Sequence, residues 1–205
     1  MAIVKGVDTV SNVTNILTQI KNKGYSYVNR YYSINGNSKR MGAAGAAEIA
    51  NAGLKRVSVY QNLHNSYSKF STAIAAGDAT DAIAQAKSVG HSSGTIYFAV
   101  DYDASASEIE GNIKAHFNEL KTMLSAAGYS LGVYGSSLVC KKLKEAGIVS
   151  KTWLYMSTGW GYNTNFNDWN MHQTIEVTFG GNFMRLKELE SKMDGRLSLI
   201  INLPF

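Results

Sequence analysis

The chain has 205 residues, 45% of them hydrophobic, and its 20 Lys and Arg outnumber 15 Asp and Glu for a net charge of +5. That length holds one substantial core, and no apolar run approaches the ~20 residues that cross a bilayer. The basic excess is modest and scattered, with no Arg/Lys stripe interleaved with aromatics, so nucleic acid and membrane are not expected partners. An anionic polymer such as a cell wall suits the charge better.

The chain enters a strand at once, at Ile3-Val4-Lys5-Gly6-Val7-Asp8. A basic leader, a long apolar middle and a small-residue cleavage site are all missing there, so no encoded signal peptide is expected. The protein would be made in the cytoplasm and reach a wall only by a leaderless route. A glycine-rich phosphate loop does not follow this strand; Asp8 stands there instead.

From residue 13 one pattern recurs: a helical segment, a glycine, then a β-rich run. Residues 13–23 lead to Gly24 and Tyr27-Val28-Asn29-Arg30-Tyr31-Tyr32, and residues 43–52 lead to Gly53 and Val57-Ser58-Val59-Tyr60-Gln61. Residues 73–89 lead to Gly90 and the run from Thr95, and residues 107–127 to Gly128 and Leu131-Gly132-Val133-Tyr134. Residues 137–146 lead to Gly147 and Thr152-Trp153-Leu154-Tyr155-Met156, with Cys140 read as a small buried filler. Each glycine falls where a helix needs a left-handed residue to stop. Such a repeat demands parallel strands joined by crossover helices. Counting residues 3–8 and Met171-His172-Gln173 as strands gives seven, with one more expected near the C-terminus. The predicted fold is therefore α/β, a compact (β/α)8 TIM-like barrel with an irregular last strand. With Pro204 the only proline and no linker-like tract, residues 1–205 read as a single domain, expected to be monomeric.

The run Thr95-Ile96-Tyr97-Phe98-Ala99-Val100-Asp101-Tyr102-Asp103 is apolar until it ends in two acids. If it stays extended, Asp101 and Asp103 share a face roughly 7 Å apart. The bland reading of Asp103 is a residue just ahead of a helix cap. In a barrel, function lies where the strands end. The last inward candidate of each strand gives Asp8, Arg30, Gln61, Asp101 with Asp103, Tyr134 and Gln173: a polar cup with three carboxylates and a guanidinium. Crowded carboxylates cannot all ionise, so one titrates high as a general acid while another stays charged. Trp160 and Tyr162 are candidates for stacking on a sugar face, with loop packing as the alternative. No metal or cofactor is expected, because the four histidines show no ligand spacing. A hard cation on the three Asp oxygens stays an alternative, and only His64 is placed near the cup.

The motifs Gly6-Val7-Asp8-Thr9, residues 24–32, Val59-Tyr60-Gln61, residues 96–103 and Gly132-Val133-Tyr134-Gly135 together resemble the glycoside-hydrolase-like barrels of the domain-of-unknown-function class. Those barrels are similar to the family 25 lysozymes, the muramidases, which cut peptidoglycan between its two amino sugars. The resemblance covers residues 3–173. It implies a peptidoglycan-type substrate, Asp103 as proton donor, and Asp101 and Asp8 as supporting carboxylates. In the lysozymes the central strand ends Asp-x-Glu, so the acid here is one methylene shorter. Related barrels also place an Asp on the eighth strand, and no acid marks that position here. Residues 182–205 are atypical: 182–193 read as a charged helix, and 197–203 as the closing strand or an irregular tail. The alternatives to a glycosidase are a glycan-binding barrel without catalysis and a metal-dependent hydrolase.

Overall fold

The computed structural model describes residues 3–34, 36, 38–156, 160, 166–179 and 184–192. Eight strands close a barrel in sequence order: β1 (Ile3–Asp8), β2 (Tyr27–Tyr32), β3 (Lys55–Tyr60), β4 (Gly94–Ala99), β5 (Tyr129–Gly135), β6 (Lys151–Leu154), β7 (Met171–Phe179) and β8 (Met184–Lys192). Neighbours from β1 to β7 are parallel. The last strand is the irregular one: β8 runs antiparallel to both β7 and β1.

Helices α1 (Leu17–Asn22), α2 (Ala43–Asn51), α3 (Thr72–Ser88) and α6 (Ser137–Glu145) follow β1, β2, β3 and β5. After β4 a single turn, α4 (Ala106–Glu108), opens on a capping box between Ser105 and Glu108. It widens into a π-helical turn over Ile109–Ile113 and continues as α5 (Lys114–Ala126). The five glycines read as helix stops all take left-handed backbone, from φ 66° at Gly147 to 86° at Gly24.

Two apolar layers result. Val28, Tyr32, Tyr60, Ile96, Phe98 and Val133 point outward to pack under the helices. Tyr27, Val57, Val59, Tyr97, Tyr134, Trp153 and Leu189 fill the barrel interior. The interior is narrow, so large rings need small neighbours. A Cβ on Gly6 would lie 2.3 Å from the Tyr27 ring, and one on Gly132 2.6 Å from the Tyr97 ring. Cys140 is the buried filler expected, its Sγ 3.7 Å from the carbonyl oxygens of Gly135 and Trp153.

Residues 184–192 are strand, which corrects the helical reading of 182–193. Their good helix formers are overridden by pairing on both sides, to β1 and to β7. The alternative closing run, 197–203, lies outside the described residues.

Candidate functional site

β1 delivers Asp8 to the barrel mouth on the same face as Val4 and Gly6. The carboxylate is 4% exposed. It accepts hydrogen bonds from Asn29 Nδ2 at 2.8 Å, Gln173 Nε2 at 3.0 Å and the Tyr31 hydroxyl at 3.3 Å. Burial pushes its pKa above the usual carboxylate range, while those donors and the Lys187 charge pull it back. Asn29 Oδ1 and Gln173 Oε1 are buried acceptors with no donor among the described residues.

Across the mouth, Gln61 Nε2 donates to Asp101 Oδ2 at 2.6 Å. Lys39 Nζ donates to Gln61 Oε1 at 3.0 Å and lies 5.6 Å from the Tyr31 ring centre. A lysine can only donate, so the amide oxygen of Gln61 must face Lys39 and its NH2 must face Asp101. Burial raises the Tyr31 and Tyr134 hydroxyls well above 10, and the charges of both Asp8 and Asp101 add to the rise. The two carboxylates therefore act on one pair of phenols, in a single bowl. Tyr134 packs edge-on against Trp153 and Tyr155, and Tyr155 stacks on Trp160 with ring centres 4.2 Å apart.

Asp8, Gln61, Asp101, Tyr134 and Gln173 thus meet in one bowl, with Trp160 on its aromatic wall. Asp103 is exposed beyond the end of β4. The strand stops at Ala99 and the chain turns, with Ala104 N–H bonded to the Tyr102 carbonyl at 2.9 Å. The extended Asp101–Asp103 spacing is therefore not realised.

Arg30 corrects the parity of β2. Tyr27, Asn29 and Tyr31 face inward, while Val28, Arg30 and Tyr32 face the helices, where Arg30 Nη2 reaches the Val10 carbonyl at 3.5 Å. No guanidinium enters the bowl from β2. Tyr162 lies outside the described residues.

His64 lies beside the cup as expected, its carbonyl accepting from the Asp101 N–H at 2.8 Å, but its side chain points away from it. The imidazole lies in the layer between barrel and helices, its Nε2 2.8 Å from Asp78 Oδ2, with the Tyr60 hydroxyl donating to Asp78 Oδ1 at 3.0 Å. His116 completes the group, and one ligand-type atom from each of His64, Asp78 and His116 lies within 4.8 Å of the others. This is the one such three-residue grouping among the described residues. Its hydrogen bonds oppose metal binding. His64 Nδ1 accepts from the Asn62 N–H at 3.3 Å, so the proton sits on Nε2, the atom facing Asp78. The group reads as a buried polar network.

Sequence reasoning missed Asn29, Tyr31, Lys39, Tyr155 and Lys187. Alternation within residues 27–32 carried no signal, because five of the six are buried whichever face they use. Lys187 came hidden in the misread segment. Its Nζ lies 5.5 Å from the Tyr155 ring centre, and in the β1–β8 register it stands opposite Asp8.

A closed barrel with carboxylates, amides and an aromatic wall gathered at the strand-end mouth has the architecture of glycoside-hydrolase-like domains. The family model described as Rv2525c-like, glycoside hydrolase-like domain, matches residues 18–188, and the chain belongs to that family. The match continues past Gln173 into β8. The uncharacterized protein YbfG of Bacillus subtilis is 34% identical over 194 residues, covering 84% of this chain and 26% of that protein. The chain thus spans about a quarter of the length of that relative. The crystal structure of the Tat-secreted Mycobacterium tuberculosis protein Rv2525c with L-tartrate superposes at TM-score 0.77 and 18% identity, covering 95% of this chain and 97% of that one. The Streptococcus pneumoniae modular autolysin LytC, with a synthetic peptidoglycan ligand, gives 0.67 and 14%, covering 92% and 46%. The Streptomyces coelicolor lysozyme gives 0.61 and 15%, covering 97% of each. At these identities the solved structures share the fold.

Proposed function

We propose that the protein is a glycosidase acting on an amino-sugar polymer of the peptidoglycan type at the barrel mouth. The observation that carries this reading is the chain of contacts joining Asp8 to Asp101 across the mouth, from the Tyr31 hydroxyl on Asp8 through Lys39 over the Tyr31 ring to Gln61 and Asp101, beside the stacked Tyr155–Trp160 wall. Aromatic faces suit sugar rings. Asp103, exposed at the rim, is assigned the proton donor of the leaving oxygen, and Asp101 the carboxylate that stabilises positive charge on the ring. Asp8, buried and amide-bound, holds Tyr31 and Gln173 in place. Two of the structural neighbours are an autolysin with a peptidoglycan ligand and a lysozyme, which supports a wall glycan as substrate.

Mass spectrometry of purified cell walls tests the reading. Wild type should release muropeptides with new reducing ends, and Asp103→Asn should lower release by about 100-fold or more. Equal release by the two would reject the assignment. A second reading, glycan binding without cleavage, draws on the short Asp103 side chain and on Gln61 already engaging Asp101. Saturable binding of wall fragments with no new reducing ends would select it.

A further inference from the structure

We infer that the bowl recognises a sugar carrying a free carboxylate, and that Lys187 is the residue that reads it; this rests on the glycan reading above. The reversal of β8 is what puts the lysine there. Lys187 shares its face with Leu189, in the interior cluster, and with Ser191, whose Oγ is 2.7 Å from the Tyr27 hydroxyl inside the barrel. The alternate residues Leu186 and Glu188 face outward, Glu188 accepting from Tyr25 and Lys5. Lys187 Nζ is therefore held at the mouth against the Tyr155 ring, on the side of the bowl where Tyr155 stacks on Trp160.

Among the described residues Lys187 has no carboxylate oxygen within 4.0 Å, whereas Lys5, Lys114, Lys141, Lys142 and Lys144 each have one. Asp8 lies near enough to feel the charge, but its oxygens are taken by Asn29, Tyr31 and Gln173. An ammonium set on an aromatic face has lost part of its hydration, and an anion brought by the ligand restores the balance. The partner is best a monoanion. Asp8 and Asp101 in the same bowl repel the double charge of a phosphate more strongly than the single charge of a carboxylate.

Two sugars offer that chemistry: a uronic acid, and muramic acid whose lactyl carboxylate is free of peptide. In peptide-bearing muramic acid the same carboxylate is an amide and leaves the lysine unpaired. The inference is thus a preference for glycan strands already stripped of peptide, or for uronic-acid strands.

Chemical-shift titrations of the full chain with four probes test it: N-acetylmuramic acid, its uncharged amide with alaninamide, N-acetylglucosamine and glucuronic acid. Wild type should bind at least one free acid about tenfold more tightly than N-acetylglucosamine and the amide, and added salt should shrink the margin. The acid that shows the margin identifies the source. In Lys187→Met the affinity ratio should fall to near one, and in Lys187→Arg the margin should persist. Sugars bound by wild type without preference for an acid, or a preference surviving in Lys187→Met, would overturn the inference and leave the glycan reading standing. Failure of all four probes to bind would overturn both. Should Lys187→Met not fold, Lys187→Gln and the salt dependence of wild type decide the question in its place.

Discussion

Asp8 and Asp78 are equally hidden, each 4% exposed, and they serve opposite ends. Asp8 accepts from two buried amides and from Tyr31, the half-buried phenol that borders the barrel mouth. Asp78 accepts from Tyr60 and His64 in a sealed layer where His64, Phe70 and His116 pack ring against ring. Burial alone therefore does not separate a carboxylate placed for chemistry from one placed for structure. What the partners do next separates them.

Removing each acid should break the symmetry most visibly. Asp78→Ala leaves the Tyr60 hydroxyl and His64 Nε2–H unpaired in a dry layer, a change expected to cost about 3–5 kcal/mol in chemical denaturation. Asp8→Asn keeps the shape, removes a charge that burial disfavours, and should cost about 1 kcal/mol or less, while lowering activity on cell walls. Comparable losses of stability from the two would erase the distinction.

The two regions should also respond to pH with opposite signs. Burial depresses His116, beside Asp78, to about 4, and His91, elsewhere in the same layer, also to about 4. Between the unfolded value near 6.5 and about 4, the unfolded chain takes up protons that the fold refuses. Stability is lost over that window as pH falls, by about 3 kcal/mol per histidine. Asp8 is shifted upward, so its contribution is full below 3.8 and is lost as pH rises through its folded value. Thermal melts across pH 4–7 should show the histidine limb weakened in His116→Gln and intact in Asp8→Asn. An acid limb that ignores His116 would put the pH response elsewhere.

How far these regions were legible follows the same divide. Val57 and Val59 alternate with Arg56 and Ser58, and Asp8 closes the run of Val4 and Gly6 at a strand end, so parity aimed Gln61 and Asp8 correctly. β2 has no polar face to expose, and a charged Arg30 near its end drew attention that belonged to Tyr31. β8 spaces Leu186 and Leu189 three residues apart, as a helix would, and only pairing against β1 and β7 decides for a strand. The Asp78 network was invisible for another reason. His64, Asp78 and His116 come from the loop after β3, from α3 and from α5, and no local period links them.

The finest test separates two protonation pictures of Asp8 itself. The Tyr31 hydroxyl donates to Asp8 Oδ2 at 3.3 Å, the longest of its three hydrogen bonds. As a donor it stabilises the carboxylate, so Tyr31→Phe should move the Asp8 titration further upward, at a stability cost of about 0.5–1.5 kcal/mol. If Asp8 instead carries its proton toward Tyr31, the phenol oxygen is an acceptor that stabilises the acid, and its loss moves the titration downward. Carbon-13 titration of the Asp8 carboxyl in wild type and Tyr31→Phe reads the sign directly. An upward shift identifies a carboxylate that burial strains toward protonation and the bowl's donors hold ionised. A downward shift identifies an acid already neutral, which would make Asp101 the only charged carboxylate between Tyr31 and Tyr134.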